Sequence, residues 1–232
     1  MNASPIAEFG ESNRKSRLGL IAGLGLALLS PASVLAKDYP VLKVDLNGDG
    51  TPENIEPKKT STNDAGDFYQ LVVGDAAQKT IWSSPQTKDP SHEFAFGNWN
   101  MGESMPHIAG DIDGDGAIEL VVPAARSDVS PPSFRIFRWE KQSFVYKFSK
   151  ALAGPGKEGD KVSWTASPGK SDFWVEEWIK RNDQGGWVVR MVSHDWESGE
   201  APKEGTAEIT PKDSSFQLVK WLKAPAVVKE TP

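Results

Sequence analysis

The sequence predicts an all-β fold, and three features of its 232 residues support that prediction. Beyond the first 36 residues, apolar side chains almost nowhere recur with the three-to-four-residue spacing of a helix. Short runs of β-branched and aromatic residues alternate instead with turns rich in Gly, Pro, Asn and Asp, which is typical of strands joined by loops. An Asp- and Gly-rich loop also occurs twice, each time between segments that favour strands.

The first 36 residues have the features of a secretory signal peptide. Arg14, Lys15 and Arg17 precede the apolar run Leu18–Leu29, and the run is followed by a cleavage site that ends at Ala36. An uncleaved anchor is the alternative, but 12 apolar residues fall short of the roughly 20 that a membrane-spanning helix needs. We therefore expect a periplasmic or secreted protein that has no stable membrane anchor after cleavage.

The predicted mature chain is acidic and contains no cysteine. Removing three basic and two acidic residues with the signal peptide changes the formal net charge from −6 to −7. Nucleic-acid binding requires clustered positive charge, so a nucleic-acid partner is not expected. Without cysteine no disulfide can stabilise the exported chain, and bound metal is one alternative means of holding its loops.

We predict twelve strands and divide the chain by the recurrence of its Asp-rich loop. The divisions are a signal peptide at 1–36, two calcium-loop repeats at 37–152, an antiparallel β meander at 153–224 and a flexible tail at 225–232. The Gly-rich segment 154–159 is either a linker or a long turn. The predicted strands are Tyr39–Val44, Phe68–Val73, Thr80–Ser83, Ile108–Gly110, Glu119–Pro123, Phe134–Trp139, Phe144–Phe148, Val162–Ala166, Phe173–Arg181, Trp187–Ser193, Thr206–Ile209 and Phe216–Leu222.

Two nine-residue loops contain the clearest chemical signal: loop 1, Asp45–Glu53, and loop 2, Asp111–Glu119. Both have oxygen-bearing side chains at positions 1, 3, 5 and 9, and glycine at positions 4 and 6. Ca²⁺ takes six to eight oxygen ligands at about 2.3–2.6 Å, and alternate residues of a tight loop can direct them inward. Without a cation, each pair of facing carboxylates at ~4 Å would repel by about 1–4 kcal/mol. The spacing therefore predicts two calcium sites, of which loop 2 has one more carboxylate.

An EF-hand, whose loop begins with the same spacing, does not explain both loops. It requires a Glu at position 12 and helices on both sides. Position 12 is Glu56 in loop 1 but Val122 in loop 2, and the flanking residues favour strands.

The two loops and the aliphatic strands that follow them resemble the FG-GAP/VCBS repeat family, whose signature is D-x-D/N-x-D-G-x-x-D/E. The resemblance covers Tyr39–Phe148 and implies blades of a β-propeller, here partial or degenerate because only two loops are visible. It departs from the family in having Glu at position 9, where Asp is commoner. It implies calcium ligands at Asp45, Asn47, Asp49, Thr51 (carbonyl) and Glu53, and at Asp111, Asp113, Asp115, Ala117 (carbonyl) and Glu119.

One further loop is a candidate partner-binding segment. The loop from Arg126 to Pro132 links two predicted strands at one end of a blade, and binding residues are often placed on such loops. Its candidate residues are Arg126, Ser127, Asp128 and Ser130. The alternative is an ordinary connection stiffened by proline.

Other residue patterns favour structural roles. The Trp residues 174, 178, 187 and 196 suit either a carbohydrate platform or a core, and the core is the expected role. The histidines at 92, 107 and 194 are expected at the surface because no nucleophile motif accompanies them. Glu176-Glu177 suits glycoside hydrolysis, but adjacent acids are common in so acidic a chain.

These observations favour an exported, calcium-binding, non-catalytic module that binds a protein or a component of the cell envelope. The first alternative is a periplasmic inhibitor or immunity protein that acts against a secreted hydrolase. The second alternative is an enzyme that acts on carbohydrate or peptidoglycan.

Overall fold

The computed structural model describes residues 39–126, 131–165, 173–193 and 200–228. In these ranges the chain forms fifteen strands, and every paired strand is antiparallel to its neighbours. The all-β prediction is therefore confirmed. None of these described ranges contains a helix that is long and apolar enough to cross a membrane.

The first sheet has six strands, in the order β1-β2-β3-β5-β6, with β4 also paired to β3. One face of this sheet packs into an aromatic and aliphatic cluster that includes Tyr69, Leu71 and Phe96. The strands are β1 Leu42–Val44, β2 Glu53–Asn63, β3 Gly66–Gly74, β4 Thr80–Ser83, β5 Phe96–Trp99 and β6 Gly102–Ser104.

The second sheet has nine strands, and six of them close into a hydrogen-bonded ring. Its order is β11-β15-β14-β13-β12-β10-β9-β8-β7, and β11 pairs with β10 as well. Four consecutive strands of the ring, β12 to β15, form the predicted antiparallel meander. The strands are β7 Ile108–Gly110, β8 Glu119–Pro123, β9 Ser133–Glu140, β10 Ser143–Gly154, β11 Lys161–Thr165, β12 Phe173–Arg181, β13 Trp187–Val192, β14 Lys203–Lys212 and β15 Ser215–Val227.

Tryptophan fills the core inside this ring. Trp178 is 2% exposed and makes edge-to-face contacts with Trp187 and Phe216, at centroid distances of 5.7 and 5.6 Å. Trp174 is also buried. Edge-to-face pairs add about 0.5–1.5 kcal/mol to the burial of each ring. The structural role predicted for these three tryptophans is confirmed, while Trp196 lies outside the described residues.

Three strands were not predicted from the sequence: β2, β5 and β6. β2 is polar and largely exposed after Ile55, so it has no apolar pattern, and pairing with β3 along its whole length defines it. β5 contains Gly97, where any Cβ would lie 2.3 Å from the backbone oxygen of Asp67. The backbones approach closely there, which is a recognised reason for glycine inside a strand.

The structure corrects the predicted start of the tail and decides between the two alternatives for the Gly-rich segment 154–159. β15 continues to Val227, so residues 225–227 are strand where a flexible tail was expected to begin. Residues 155–160 connect β10 to β11, which pair with each other, so the Gly-rich segment is a turn within one sheet and not a linker. The predicted signal peptide, residues 1–36, lies outside the described part of the chain.

Candidate metal centre

The two Asp-rich loops occupy equivalent positions in two strand–loop–strand units. Loop 1 joins β1 to β2, and loop 2 joins β7 to β8. The residue before each loop pairs with the Glu at position 9: Val44 pairs with Glu53, and Gly110 with Glu119. The sequence repeat is therefore also a repeat of backbone register.

The glycines at positions 4 and 6 explain how both loops turn. Gly48 and Gly50 have φ of 76° and 85°, and Gly114 and Gly116 have φ of 81° and 89°. Glycine adopts these left-handed conformations at no steric cost, whereas other residues are strained there.

A common set of hydrogen bonds folds each loop around its own side chains. The position 1 Asp accepts from the N–H groups of positions 4 and 6, with Asp45 in loop 1 and Asp111 in loop 2. The position 3 oxygen accepts from the position 5 N–H, and the position 5 Asp accepts from the position 7 N–H. The donors at position 7 are Thr51 and Ala117, whose carbonyl oxygens remain predicted ligands.

The Glu at position 9 has a second role in both loops. Glu53 Oε2 accepts from Leu46 N at 2.7 Å, and Glu119 Oε2 accepts from Ile112 N at 3.1 Å. Both Glu side chains are buried. In each loop, one carboxylate oxygen of the position 9 Glu therefore holds the end of the loop against the residue at position 2.

Three of the four acidic side chains of loop 2 have a spacing that fits one metal ion, and the predicted ligand Glu119 is not one of them. One carboxylate oxygen from each of Asp111, Asp113 and Asp115 lies within 4.8 Å of the other two. Ligands at about 2.3–2.6 Å from a single Ca²⁺ lie at most about 5 Å apart. These three residues can therefore hold one metal ion, and their oxygen donors suit hard cations such as Ca²⁺ and Mg²⁺.

Loop 2 also has an internal cation, Arg138 of β9, which sequence reasoning missed. Its Nη2 lies 3.2 Å from Asp113 Oδ2, its Nη1 2.8 Å from Asp115 Oδ2, and its Nε 2.8 Å from Glu119 Oε1. The last contact lacks hydrogen-bond geometry, so Glu119 Oε1 is buried without a hydrogen bond. Arg138 is the cross-strand partner of Glu119, and only the strand register brings the two together.

Among the described residues, no arginine forms an ion pair with loop 1. Asn47 Nδ2 donates to Glu53 Oε1 at 2.7 Å, so an amide takes the place that Arg138 has beside Glu119. Extending the β2–β3 register by one residue beyond the Asn54–Gly74 pair places Asp75 opposite Glu53. The two loops therefore share a backbone conformation and differ in their neighbouring charge.

The pKa shifts of the carboxyl groups in the two loops show where the surroundings stabilise a negative charge poorly. Burial raises the pKa of Glu119 to about 7 and also raises the pKa of Asp113. In contrast, the backbone N–H of Ala117 lowers the pKa of Asp115, and that of Gly50 lowers the pKa of Asp45. Glu119 thus remains poorly stabilised as an anion even beside Arg138.

The candidate partner-binding loop is only partly described. Arg126 Nη2 pairs with Glu176 Oε1 of β12 at 2.7 Å, whereas Ser127, Asp128 and Ser130 lie outside the described residues.

The three histidines depart in part from the surface positions predicted for them. The ring of His107 is mostly buried, His92 is exposed, and His194 lies outside the described residues.

Comparisons with known proteins found no relative of this chain. No family model, no curated protein and no solved structure matches it. The resemblance to the FG-GAP/VCBS repeats therefore rests on the two loops and their flanking strands, and it remains a prediction.

Proposed function

We propose that this protein is an exported, calcium-binding, non-catalytic module that binds a protein or a cell-envelope component in the periplasm or outside the cell. The observation that supports it best is the duplication of one loop conformation, with the same turn glycines and hydrogen bonds. In loop 2 it is accompanied by an oxygen spacing suited to one Ca²⁺.

Calcium would act mainly on stability and on the shape of the loops. A ligand that binds only the folded state stabilises it by RT ln(1 + [L]/Kd), which is about 2.7 kcal/mol at a hundredfold excess over Kd. This is a large share of the roughly 5–15 kcal/mol that stabilises an ordinary domain. The chain has no cysteine and so no disulfide that could substitute for the metal.

Calorimetric titration of the metal-free mature chain with CaCl₂ tests this proposal, together with melting curves in calcium and in chelator. Asp49→Ala and Asp115→Ala each remove a charged ligand from one loop, and each is expected to lower the number of bound ions by one. Asp64→Ala, on the exposed turn at the opposite end of β2 from loop 1, is the control. Absence of binding heat, with the same melting temperature in calcium and chelator, would refute the proposal.

A further inference from the structure

Loop 1 contains the one Asn-Gly pair of the sequence, Asn47-Gly48. Such a pair is chemically labile, because glycine has no side chain to hinder the approach of its own backbone nitrogen to the amide of the preceding asparagine. Both residues are exposed, and a Cβ added at Gly48 would meet no atom within 4 Å. The backbone nitrogen of Gly48 therefore has no steric protection, and water can reach the pair.

Hydrogen bonds of the folded loop act on each group that would react. Gly48 N, the nucleophile, donates to Asp45 Oδ1 at 2.7 Å, so a carboxylate that can take up its proton is adjacent. Asn47 Oδ1 accepts from Asp49 N at 2.8 Å, so a donor polarises the side-chain carbonyl and stabilises charge that develops on its oxygen. The bond from Asn47 Nδ2 to Glu53 Oε1, at 2.7 Å, opposes the reaction because the amide nitrogen must leave.

We propose that Asn47 is a deamidation site and that its aspartate product gives loop 1 the same acidic side chains as loop 2, position by position. The Gly48 nitrogen loses its proton and bonds to Asn47 Cγ, and Nδ2 leaves as ammonia, which closes a cyclic succinimide. Water then opens the ring. Attack at Cγ leaves aspartate at position 47 in an unchanged backbone, whereas attack at the backbone carbonyl carbon leaves isoaspartate, in which the chain runs through Cγ.

The aspartate product loses a contact that the amide makes. Asn47 Nδ2 donates to Glu53, which is 4% exposed. A carboxylate at position 47 has no hydrogen to donate, so it would face Glu53 acceptor to acceptor. At the same position of loop 2, Asp113 lies 3.2 Å from the guanidinium of Arg138, and within the described ranges loop 1 forms no such pair with an arginine. Deamidation therefore leaves loop 1 in need of a cation.

The reaction thus changes how loop 1 depends on metal. The neutral amide suits a metal-free loop because it satisfies the buried Glu53, whereas the aspartate product adds a charged oxygen ligand and suits a metal-bound loop. Release of ammonia makes the change irreversible in dilute solution. The gain in calcium affinity rests on the calcium binding proposed above, but the deamidation itself does not.

Peptide mapping of the folded mature chain, held in chelator at mildly alkaline pH, tests the reaction. Mass spectrometry detects the exchange of NH for O, and an isoaspartate-specific methyltransferase detects the second product. Asn63 is the internal control, because it is also on an exposed turn and its Oδ1 also accepts from the N–H two residues on, but Asp64 follows it in place of glycine.

We expect Asn47 to lose its amide before Asn63 does, and Asn47→Gln, whose longer side chain closes the ring less readily, to show no mass gain at this position. Two outcomes would overturn the assignment. One is loss at Asn63 as fast as at Asn47. The other is a folded chain in which Asn47 remains intact after the same chain, unfolded in urea, has reacted completely.

Asn47→Asp reproduces the aspartate product and tests its consequence. Loss of the bond to Glu53 and repulsion between the two carboxylates are expected to lower Tm in chelator by roughly 2–8 °C. Asn63→Asp makes the same change of charge outside loop 1 and is expected to leave Tm nearly unchanged. Calcium is expected to bind loop 1 of Asn47→Asp about tenfold or more tightly than loop 1 of the original chain, and to restore most of the lost Tm.

Failure of this inference and failure of the proposed function give different results. An unchanged Tm of Asn47→Asp in chelator, or equal calcium affinity in this variant and the original chain, would refute the consequence that we assign to deamidation. Absence of calcium binding in every variant would refute the proposed function, while loss of the amide at Asn47 and the lower Tm in chelator would still be measured.

Discussion

Replacing Arg138 by Gln tests how loop 2 compensates its negative charge. The substitution removes a guanidinium that contacts Asp113, Asp115 and Glu119, and it keeps a polar side chain of similar length. Without metal, the carboxylates of loop 2 then face one another with no cation. We expect the metal-free variant to be less stable and to depend more strongly on calcium than the original chain.

The expected loss of stability follows from the exposure of the three partners. Asp113 and Asp115 are 39% and 45% exposed, so each contact contributes at most about 1 kcal/mol. Glu119 is 2% exposed, but burial raises the pKa of Glu119 to about 7 even with Arg138 beside it, so without Arg138 this carboxyl takes up a proton near pH 7 at little further cost. A total of about 1–2 kcal/mol corresponds to a decrease in Tm of roughly 2–8 °C for a chain of this size.

Melting curves in chelator and in calcium, together with calorimetric titration, measure both effects. Calcium at loop 2 must displace Arg138 from its contacts in the original chain but meets no competitor in the variant. We therefore expect at least tenfold tighter binding at loop 2, and recovery of most of the lost Tm when calcium is added. Lys220→Gln, which removes a pair with Glu208 in another part of the sheet, is the control. A decrease in Tm below about 2 °C in chelator, or the same calcium increment in both proteins, would refute the reasoning.

Two further predictions concern export and pH. If residues 1–36 are a signal peptide, mass spectrometry of the exported protein is expected to find Lys37 at its N-terminus, and a retained Met1 would contradict this. Burial lowers the pKa of His107. Below about pH 6.5, the ordinary pKa of histidine, the imidazole therefore binds a proton more readily in the unfolded chain than in the folded chain. The free energy of unfolding consequently falls as the pH is lowered. His107→Gln is expected to reduce the loss of stability between pH 7 and pH 5 in urea unfolding, and an unchanged pH profile would exclude this role.

The sequence was most informative where one residue pattern determines one local structure. Predicted strands such as Thr80–Ser83 and Phe173–Arg181 have the bounds that the structure gives them. The loop spacing likewise predicted that the carboxylates of Asp111, Asp113 and Asp115 lie close together, because the turn depends only on its own nine residues, but Glu119 is not part of that group. β2 was missed because its residues are polar and its partner β3, rather than any apolar pattern of its own, defines it.

The positions of Arg138, Glu176 and Glu177 relative to neighbouring strands depend on the pairing register, which the sequence did not reveal. Arg138 reaches Glu119 only because β8 and β9 pair in one particular alignment. Glu176 and Glu177 line one groove only because a bulge interrupts the pairing of β12. A period of two would have placed these two carboxylates on opposite faces.

The difference between the two loops leads to a reciprocal prediction about Asp75, the residue that the extended register places opposite Glu53. Asp75→Arg would give loop 1 the internal cation that loop 2 has in Arg138. The change also removes an acceptor, because Asp75 Oδ1 accepts from Lys79 N at 2.8 Å. Asp75→Ala is therefore the control that isolates this loss, which is worth about 1 kcal/mol.

Relative to Asp75→Ala, we expect Asp75→Arg to be more stable in chelator and to bind calcium at loop 1 less tightly. The sequence alone favours loop 2 as the stronger site because it has one more carboxylate, whereas Arg138 opposes metal binding there. If the arginine at the cross-strand position governs calcium dependence, its introduction at Asp75 and its removal at Arg138 must shift calcium affinity in opposite directions. Shifts in the same direction would show that the loop ligands, and not the cross-strand charge, determine the affinity of each site.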